Sequence, residues 1–195
     1  IITTSNYTVS YLRTMFPKIK KKIFKVNLSV DSNKFKIIKK TNLITYMPRK
    51  LPAHSSLLIF YLKNLLPKNW KILPLDNVSE NNLVKILSIS KIFLSFSNFE
   101  GMGIPPIEAA LSGNKVIGYV GGGGSEYWKK PIFIKVESGE IEDFAKKIIK
   151  SIKSYKNNWI KNTRKNRLQL SNYYSKKSEK ESMILLSNKI LKFYN

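Results

Sequence analysis

The sequence contains no cysteine, a single histidine and few acidic residues. Without cysteine, the chain has no disulfide framework, no thiol nucleophile and no cysteine-based zinc site. This composition fits a reducing compartment, and we expect a cytoplasmic protein. The one histidine, His54, stands at the start of a predicted helix, where we favour a capping or solvent-facing role over acid–base catalysis.

Long apolar runs are also absent. The longest of note, residues 57–62, is far shorter than the roughly 18–20 residues that a membrane-spanning helix needs. No signal peptide is visible. The chain begins with Ile1 rather than methionine, in a run typical of a strand entered midway, so we expect a piece of a longer protein. Its 195 residues suffice for one domain with a core plus extensions.

Acidic residues number only 12 against 35 lysines and arginines, which gives a formal net charge of +23. One interpretation is attraction to an anionic lipid surface or to nucleic acid. The other is a lysine- and asparagine-rich composition without a function of its own. Because the positive charges are spread along the chain, nucleic acid is the less favoured partner. Peripheral contact with the inner face of a membrane stays open.

Short apolar segments alternate with helical patterns along most of the chain. Strands are predicted at 23–26, 42–46, 70–73, 91–96, 115–119 and 132–135, and helices at 54–66, 79–89, 105–112 and 140–153. This alternation predicts an α/β fold with a Rossmann-like, doubly wound parallel sheet. Ligands of such sheets lie beyond the carboxyl ends of the strands.

The pattern divides the chain into three regions. Residues 1–30 are interpreted as a remnant of a preceding domain and its linker, and residues 31–154 as the Rossmann-like domain. Residues 155–195 are predicted to form a polar helical extension with amphipathic segments.

The most informative segment, residues 97–110, places two carboxylates around a glycine turn. Glu100 precedes the turn, and Glu108 is expected in the first turn of a helix that two prolines open. A helix N-terminus with free amides attracts phosphate, and flanking carboxylates accept hydrogen bonds from hydroxyls. The segment therefore predicts a site for a phosphate-linked, hydroxyl-rich ligand such as a nucleotide sugar.

This segment resembles the Glu-x7-Glu motif of retaining glycosyltransferases with the GT-B fold, in particular the GT4-like (group 1) family. The order of features downstream is also similar: Ser112 and Gly113 follow the helix, and a strand leads to a glycine turn at 121–126. The resemblance implies the C-terminal, donor-binding half of such an enzyme. The chain departs from the family pattern at Met102, Ile104 and Lys115, where the family has Phe, Leu and Pro.

The resemblance also implies roles for individual residues. Glu100 would be the catalytic carboxylate that faces the reacting carbon of the transferred sugar. Glu108 would accept hydrogen bonds from the ribose hydroxyls. Gly101, Met102 and Gly103 would present backbone amides to the sugar and the diphosphate.

Two adjacent cations, Arg49 and Lys50, follow the predicted strand 42–46. In the family an Arg and a Lys clamp the donor diphosphate, and two positive charges would neutralise the leaving group without a metal. We therefore expect no metal and no cofactor. The commoner form of the family separates the two cations, so the division of their roles stays open. Asn77 and Glu126 are further candidates for the donor site.

We expect a glycosyltransferase of hexosyl type that takes a nucleoside diphosphate sugar and transfers the sugar with retention to an unknown sugar, lipid-linked or envelope acceptor. The isolated chain should bind the donor without transferring sugar, because the acceptor side would belong to another domain. Two alternatives stay open. One is a nucleotide-sugar epimerase or phosphorylase of GT-B type, and the other is a non-enzymatic basic module that binds nucleic acid or anionic membrane.

Overall fold

A computed structural model describes residues 1–194. The strands are β1 (Ile2–Thr3), β2 (Phe24–Lys25), β3 (Thr41–Tyr46), β4 (Lys71–Pro74), β5 (Ser90–Glu100), β6 (Lys115–Gly122) and β7 (Phe133–Lys135). The helices are α1 (Asn6–Met15), α2 (Pro52–Leu62), α3 (Glu80–Ile89), α4 (Ile104–Leu111), α5 (Ile141–Lys153), α6 (Trp159–Asn162), α7 (Arg164–Tyr173) and α8 (Lys176–Tyr194). Within these residues, no helix is both long and apolar enough to cross a membrane.

Strands β3 to β7 form one parallel sheet in the order β4-β3-β5-β6-β7. Ile44 in β3 pairs with Ile72 on one side and Ile92 on the other. Parallel neighbours need crossover connections, which α2, α3, α4 and the 3-10 turn after β6 provide. The chain leaves β3 toward one edge and returns through β5 toward the other, so the topological switch point lies between β3 and β5. The predicted Rossmann-like α/β fold is confirmed.

Two apolar layers cover the faces of the sheet. On one face, α2 and α5 pack against it, with Leu58, Phe144 and Ile148 fully buried. On the other face lie α3, α4 and α7, which bury Leu87 and Ile107. Because both faces are covered, the central strands are apolar on both sides, which is the pattern that marked them in the sequence.

The N-terminal residues form a small unit of their own. β1 and β2 pair in parallel as a separate two-stranded sheet, with α1 between them in the chain. Ser5 caps α1, because its Oγ accepts a hydrogen bond of 3.1 Å from the backbone N of Thr8. The C-terminal helices pack back onto this region: the backbone N of Asn27 donates to Ser182 Oγ at 3.0 Å. The division at residues 30 and 154 stays a prediction.

The predicted strands and helices are present, but several of their ends differ. β5 continues to Glu100, four residues beyond its predicted end at Phe96, because it keeps pairing with β6 past an irregularity between Ser97 and Glu100. α2 begins at Pro52 and ends at Leu62 rather than extending to residue 66.

Candidate active site

Glu100 and Lys50 meet at the carboxyl ends of two neighbouring strands. After Tyr46 ends β3, a tight turn forms in which the backbone N of Lys50 donates to Met47 O at 3.2 Å. Glu100 is the last residue of β5. Lys50 Nζ lies 2.5 Å from Glu100 Oε1, with the Glu100 side chain 17% exposed and that of Lys50 41% exposed. A carboxylate and a cation predicted from separate segments thus share one site at the switch point of the sheet.

This ion pair closes a narrow crevice between β3, β5 and the start of α4. The cavity measures only about 10 Å³, and Met47, Ser97 and Pro105 contribute to its walls. Such a space holds one water at most. A larger group could occupy this space only if a side chain of its walls moved, and Lys50 is one of these side chains. The long, flexible side chain of lysine and its partial exposure permit this movement.

Arg49 lies beside Lys50 on the same turn and is exposed. Among residues 1–194 its guanidinium has no ion pair or hydrogen bond. The two adjacent cations therefore differ in the structure, since Lys50 engages Glu100 and Arg49 is available to an anion in solvent. A planar guanidinium binds phosphate oxygens in pairs, whereas an ammonium acts as a compact point charge.

Glycines bring the backbone of residues 101–103 close to a second turn. Gly103 has a φ of +73°, and a side chain there would meet Tyr127 Oη at 2.8 Å. The Tyr127 hydroxyl donates a hydrogen bond of 2.7 Å to Gly103 O. A Cβ on Gly123 would lie 2.0 Å from Gly101 O, so the two turns pack backbone against backbone. This packing fixes the loop that carries Glu100.

Met102 has a different environment from its glycine neighbours. Its side chain is buried in the core that lies under α4 and α3. Only its backbone is therefore suited to contact a ligand, in keeping with the role that the resemblance implies.

The N-terminus of α4 offers fewer amides than we expected. The helix begins at Ile104, and Pro105 and Pro106 occupy its second and third positions. Because proline has no N–H, the helix start leaves free only the amides of the N-cap residue Gly103 and of Ile104. Glu108 is the fifth helical residue, which corrects its predicted place in the first turn. Charge at this end of the sheet thus comes mainly from Arg49 and Lys50.

Glu108 is half-buried near the start of α3. Burial and the negative charge of Glu80 raise the pKa of Glu108, while the positive charge of Lys34 opposes this rise. Lys34 Nζ and Glu80 Oε1 form an exposed ion pair of 2.6 Å. Glu108 does not line the crevice that contains Lys50. A ligand that contacts both acids must therefore extend from the crevice toward the α3 side of α4.

The two weaker candidates occupy different places. Asn77 is exposed in the loop between β4 and α3, at the same end of the sheet, with a φ of +49°. Glu126 lies away from the crevice. Its carboxylate accepts hydrogen bonds from Lys25 Nζ at 2.6 Å, from Tyr173 Oη at 3.2 Å and from the backbone N of Asn6. The structure therefore gives Glu126, at the end of the glycine turn 121–126, a role in joining this turn to the N-terminal unit and to α7.

Three other side chains of this region differ from what the sequence predicted, or were not predicted at all. His54 contacts Tyr119, with Nδ1 3.1 Å from the tyrosine oxygen, and not the crevice. Tyr127 and Lys34 were not predicted as parts of the site region. No motif marks them, because each reaches the region through tertiary packing of segments that are distant in the sequence. Within residues 1–194, no group of three or more potential metal ligands is clustered.

The fold is that of one Rossmann-like half of a GT-B protein, and comparison with known proteins gives the family. Residues 60–166 match the family described as glycosyl transferases group 1. Because this match covers more than half of the sequence, the chain belongs to the group 1 glycosyl transferases. Comparison with curated protein sequences gives no significant match.

Solved structures share the fold over nearly all of the chain. A glycosyltransferase from Rickettsia africae is 17% identical, with a TM-score of 0.70, covering 98% of this chain and 63% of its own. A TarM variant from S. aureus is 18% identical, with a TM-score of 0.74, and the match covers 95% of this chain and 43% of the TarM chain. Sucrose-phosphate synthase from Thermosynechococcus elongatus is 15% identical, with a TM-score of 0.72, and the match covers 97% of this chain and 58% of the synthase chain. The chain thus spans about half the length of these proteins.

Proposed function

We propose that this chain is the donor-binding half of a hexosyl-transferring glycosyltransferase that uses a nucleoside diphosphate sugar. The observation that carries the proposal is the meeting of Lys50 and Glu100 at the switch point, with Arg49 beside them. Membership of the family supports it. So does the TarM variant, whose structure was determined in complex with Fondaparinux, alpha-GlcNAc-glycerol and UDP.

Binding of the donor would exchange the partner of Lys50. The diphosphate competes with Glu100 for the ammonium group, and Arg49 adds a second positive charge. As the bond between the sugar carbon and the phosphate oxygen breaks, the oxygen keeps the electron pair, and both cations stabilise the resulting charge. No metal is needed for this step in our proposal.

Glu100, released from Lys50, would face the sugar. Its carboxylate stabilises the positive charge that develops on the ring in an oxocarbenium-like transition state. The acceptor hydroxyl attacks from the face that the diphosphate leaves, and its proton passes to the departing phosphate oxygen. This course retains the configuration at the sugar carbon. We propose a cytoplasmic enzyme whose acceptor is a sugar, a lipid-linked sugar or an envelope polymer.

Glu108 would bind the ribose. Two vicinal hydroxyls can donate to one carboxylate, and partial burial strengthens such bonds because water competes less. Asn77, in the exposed loop between β4 and α3, would lie near the base. The half-buried environment of Glu108 distinguishes it from the fully solvated carboxylates of the chain.

Isothermal titration calorimetry with UDP- and GDP-sugars tests donor binding by the chain. We expect measurable binding, and we expect Glu108→Gln to weaken it about tenfold to hundredfold, which is the range for a lost charged hydrogen bond. The matched control is Glu181→Gln on the exposed side of α8, which should bind like the wild type. A folded sample that gives no heat at millimolar donor would overturn the proposal.

A further inference from the structure

The outer face of α2 carries large apolar side chains that the rest of the described chain leaves exposed. Leu57, Phe60 and Tyr61 share this face through their spacing of three and four residues, and Leu65 follows in the next turn. Phe60 is 73% exposed, and the other three are about half exposed. Single exposed apolar residues are ordinary, but three on one helix surface and a fourth in the turn that follows form a patch of the kind that marks an interaction site.

Helix α5 lies beside α2 and extends this patch into an open groove. The groove has a volume of about 1000 Å³, and apolar walls formed by Tyr61, Leu65, Ala145 and Ile149. It lies on the outer side of the helical layer, whereas the crevice with Lys50 lies at the carboxyl ends of the strands. A partner in the groove would therefore leave the crevice open.

Lysines border the groove along α5. Lys146 is paired with Glu142 at 2.6 Å. Lys150 and Lys153 also line the groove, and neither has an ion pair in the portion of the chain that the structure describes. The rim therefore has uncompensated positive charge next to the apolar floor.

We propose that the surface formed by α2 and α5 binds the anionic surface of a phospholipid bilayer. Apolar side chains flanked by lysines are suited to such a surface, because the apolar groups enter between the lipids while the ammonium groups meet the phosphates. Nucleic acid provides no apolar phase for Leu57 and Leu65. A second copy would place the unpaired lysines of one α5 against those of the other in a symmetric contact.

Cosedimentation with vesicles tests this proposal without any nucleotide. The chain should sediment with vesicles of phosphatidylcholine and phosphatidylglycerol, and weakly or not at all with phosphatidylcholine alone. The double variant Lys150→Gln, Lys153→Gln should bind about 25-fold more weakly, since each lysine near an anionic surface contributes about fivefold. The double variant Leu57→Ser, Phe60→Ser should also lose binding, although its charge is unchanged.

The matched control removes the same charge from a surface outside the groove. Lys161→Gln, Lys165→Gln changes two exposed lysines of α6 and α7 and should bind like the wild type. The proposal would be overturned if both lysine double variants lost vesicle binding equally. It would also be overturned if the double serine variant bound vesicles like the wild type. The absence of vesicle binding, or a preference for nucleic acid or self-association, would overturn it as well. Because the assay contains no donor, its failure is distinguishable from failure of the proposed function.

Discussion

The Lys50–Glu100 pair sets the charge balance of the crevice at the scale of single residues. A diphosphate would be attracted by Lys50 and repelled by Glu100. We therefore predict that Glu100→Gln binds UDP at least as tightly as the wild type, whereas Lys50→Met binds it about tenfold more weakly. Calorimetry with UDP alone measures both. Because the pair is partly exposed, neither change should cost more than about 1 kcal/mol of folding free energy.

The opposite ranking would contradict this account of the crevice. If Glu100→Gln weakened UDP binding as much as Lys50→Met, the carboxylate would be holding the nucleotide and not opposing it. A urea titration of each variant serves as the control, because it separates a loss of binding from a loss of folded protein.

At the site, the sequence predicted some residues but not the contacts between them. Glu100 and Lys50 were predicted from the resemblance of their segments to family motifs, and the structure brings them together. Their direct ion pair was not predictable, because it depends on the lengths of β5 and of the turn after β3. The hydroxyl of Tyr127 on Gly103 O is likewise a tertiary contact between two turns.

The packing of the two glycine turns leads to a prediction at the scale of elements. A methyl group on Gly123 would meet the backbone oxygen of Gly101, which cannot move without the loop that carries Glu100. We predict that Gly123→Ala destabilises the fold by about 1–3 kcal/mol, the usual cost of overpacking, and weakens donor binding. Urea denaturation and calorimetry measure the two effects.

The neighbouring Gly124 provides the matched control. A methyl group there would meet only side-chain atoms, at 3.3 Å or more, so Gly124→Ala should cost much less than Gly123→Ala. Equal stability and equal donor binding for the two variants would show that the turns do not support each other.

The ends of α3 and α4 share one half-buried lysine, Lys40. Lys40 Nζ donates to Leu87 O at 3.0 Å and to Ser112 O at 2.5 Å. Burial and the positive charge of Arg167 lower the pKa of Lys40 from 10.5 to about 7. Between these values the unfolded chain binds more protons than the folded chain, so stability rises with pH in that window.

We predict that the free energy of unfolding increases by about 2 kcal/mol between pH 7 and 9, and that Lys40→Met removes this increase. Urea titrations across this range measure it, with the slope against pH as the readout. The control is Lys161→Met, an exposed lysine whose replacement should leave the slope unchanged. A wild-type protein whose stability is flat or falls over this range would contradict the prediction.

Elements were predicted better in type than in their ends. The alternation of apolar strands and helical patterns was sufficient for the parallel sheet. The predicted end of β5 was wrong because pairing with β6 extends the strand to Glu100, and the local sequence does not reveal which strand β5 pairs with. The start of α4 was set one residue late, so its proline positions and the place of Glu108 were misjudged.

At the scale of the whole molecule, Glu126 connects three parts of the chain. It binds Lys25 of β2, Tyr173 of α7 and the first backbone amide of α1. We predict that Glu126→Gln loosens the N-terminal unit and speeds hydrogen exchange of the α1 amides about tenfold or more, as expected for a lost charged contact. Exchange in α5 should be unchanged.

Glu137→Gln is the control for this prediction, because Glu137 forms an exposed ion pair of 2.7 Å with Lys135. Its α1 amides should exchange at the wild-type rate. Unchanged α1 exchange in Glu126→Gln would contradict the connecting role of Glu126 and would leave its donor-site role as the better prediction.

The large positive charge also belongs to the whole molecule. Two interpretations of this charge stayed open from the sequence alone, because the sequence does not show which lysines lie beside exposed apolar side chains. The groove between α2 and α5 identifies such a place. The outer face of α2 was not predictable, since residues 57–62 of this helix are all apolar and the pattern does not distinguish its buried side from its exposed side.

The proposed function requires that a nucleoside diphosphate binds at the carboxyl ends of β3 and β5. An NMR titration of the ¹⁵N-labelled chain with UDP and with GDP tests it most directly. We predict that at least one nucleotide shifts the amide signals of Lys50, Gly101, Met102, Gly103 and Glu108, while those along α5 stay unchanged. Shifts confined to other surfaces, or no shifts with either nucleotide, would contradict it.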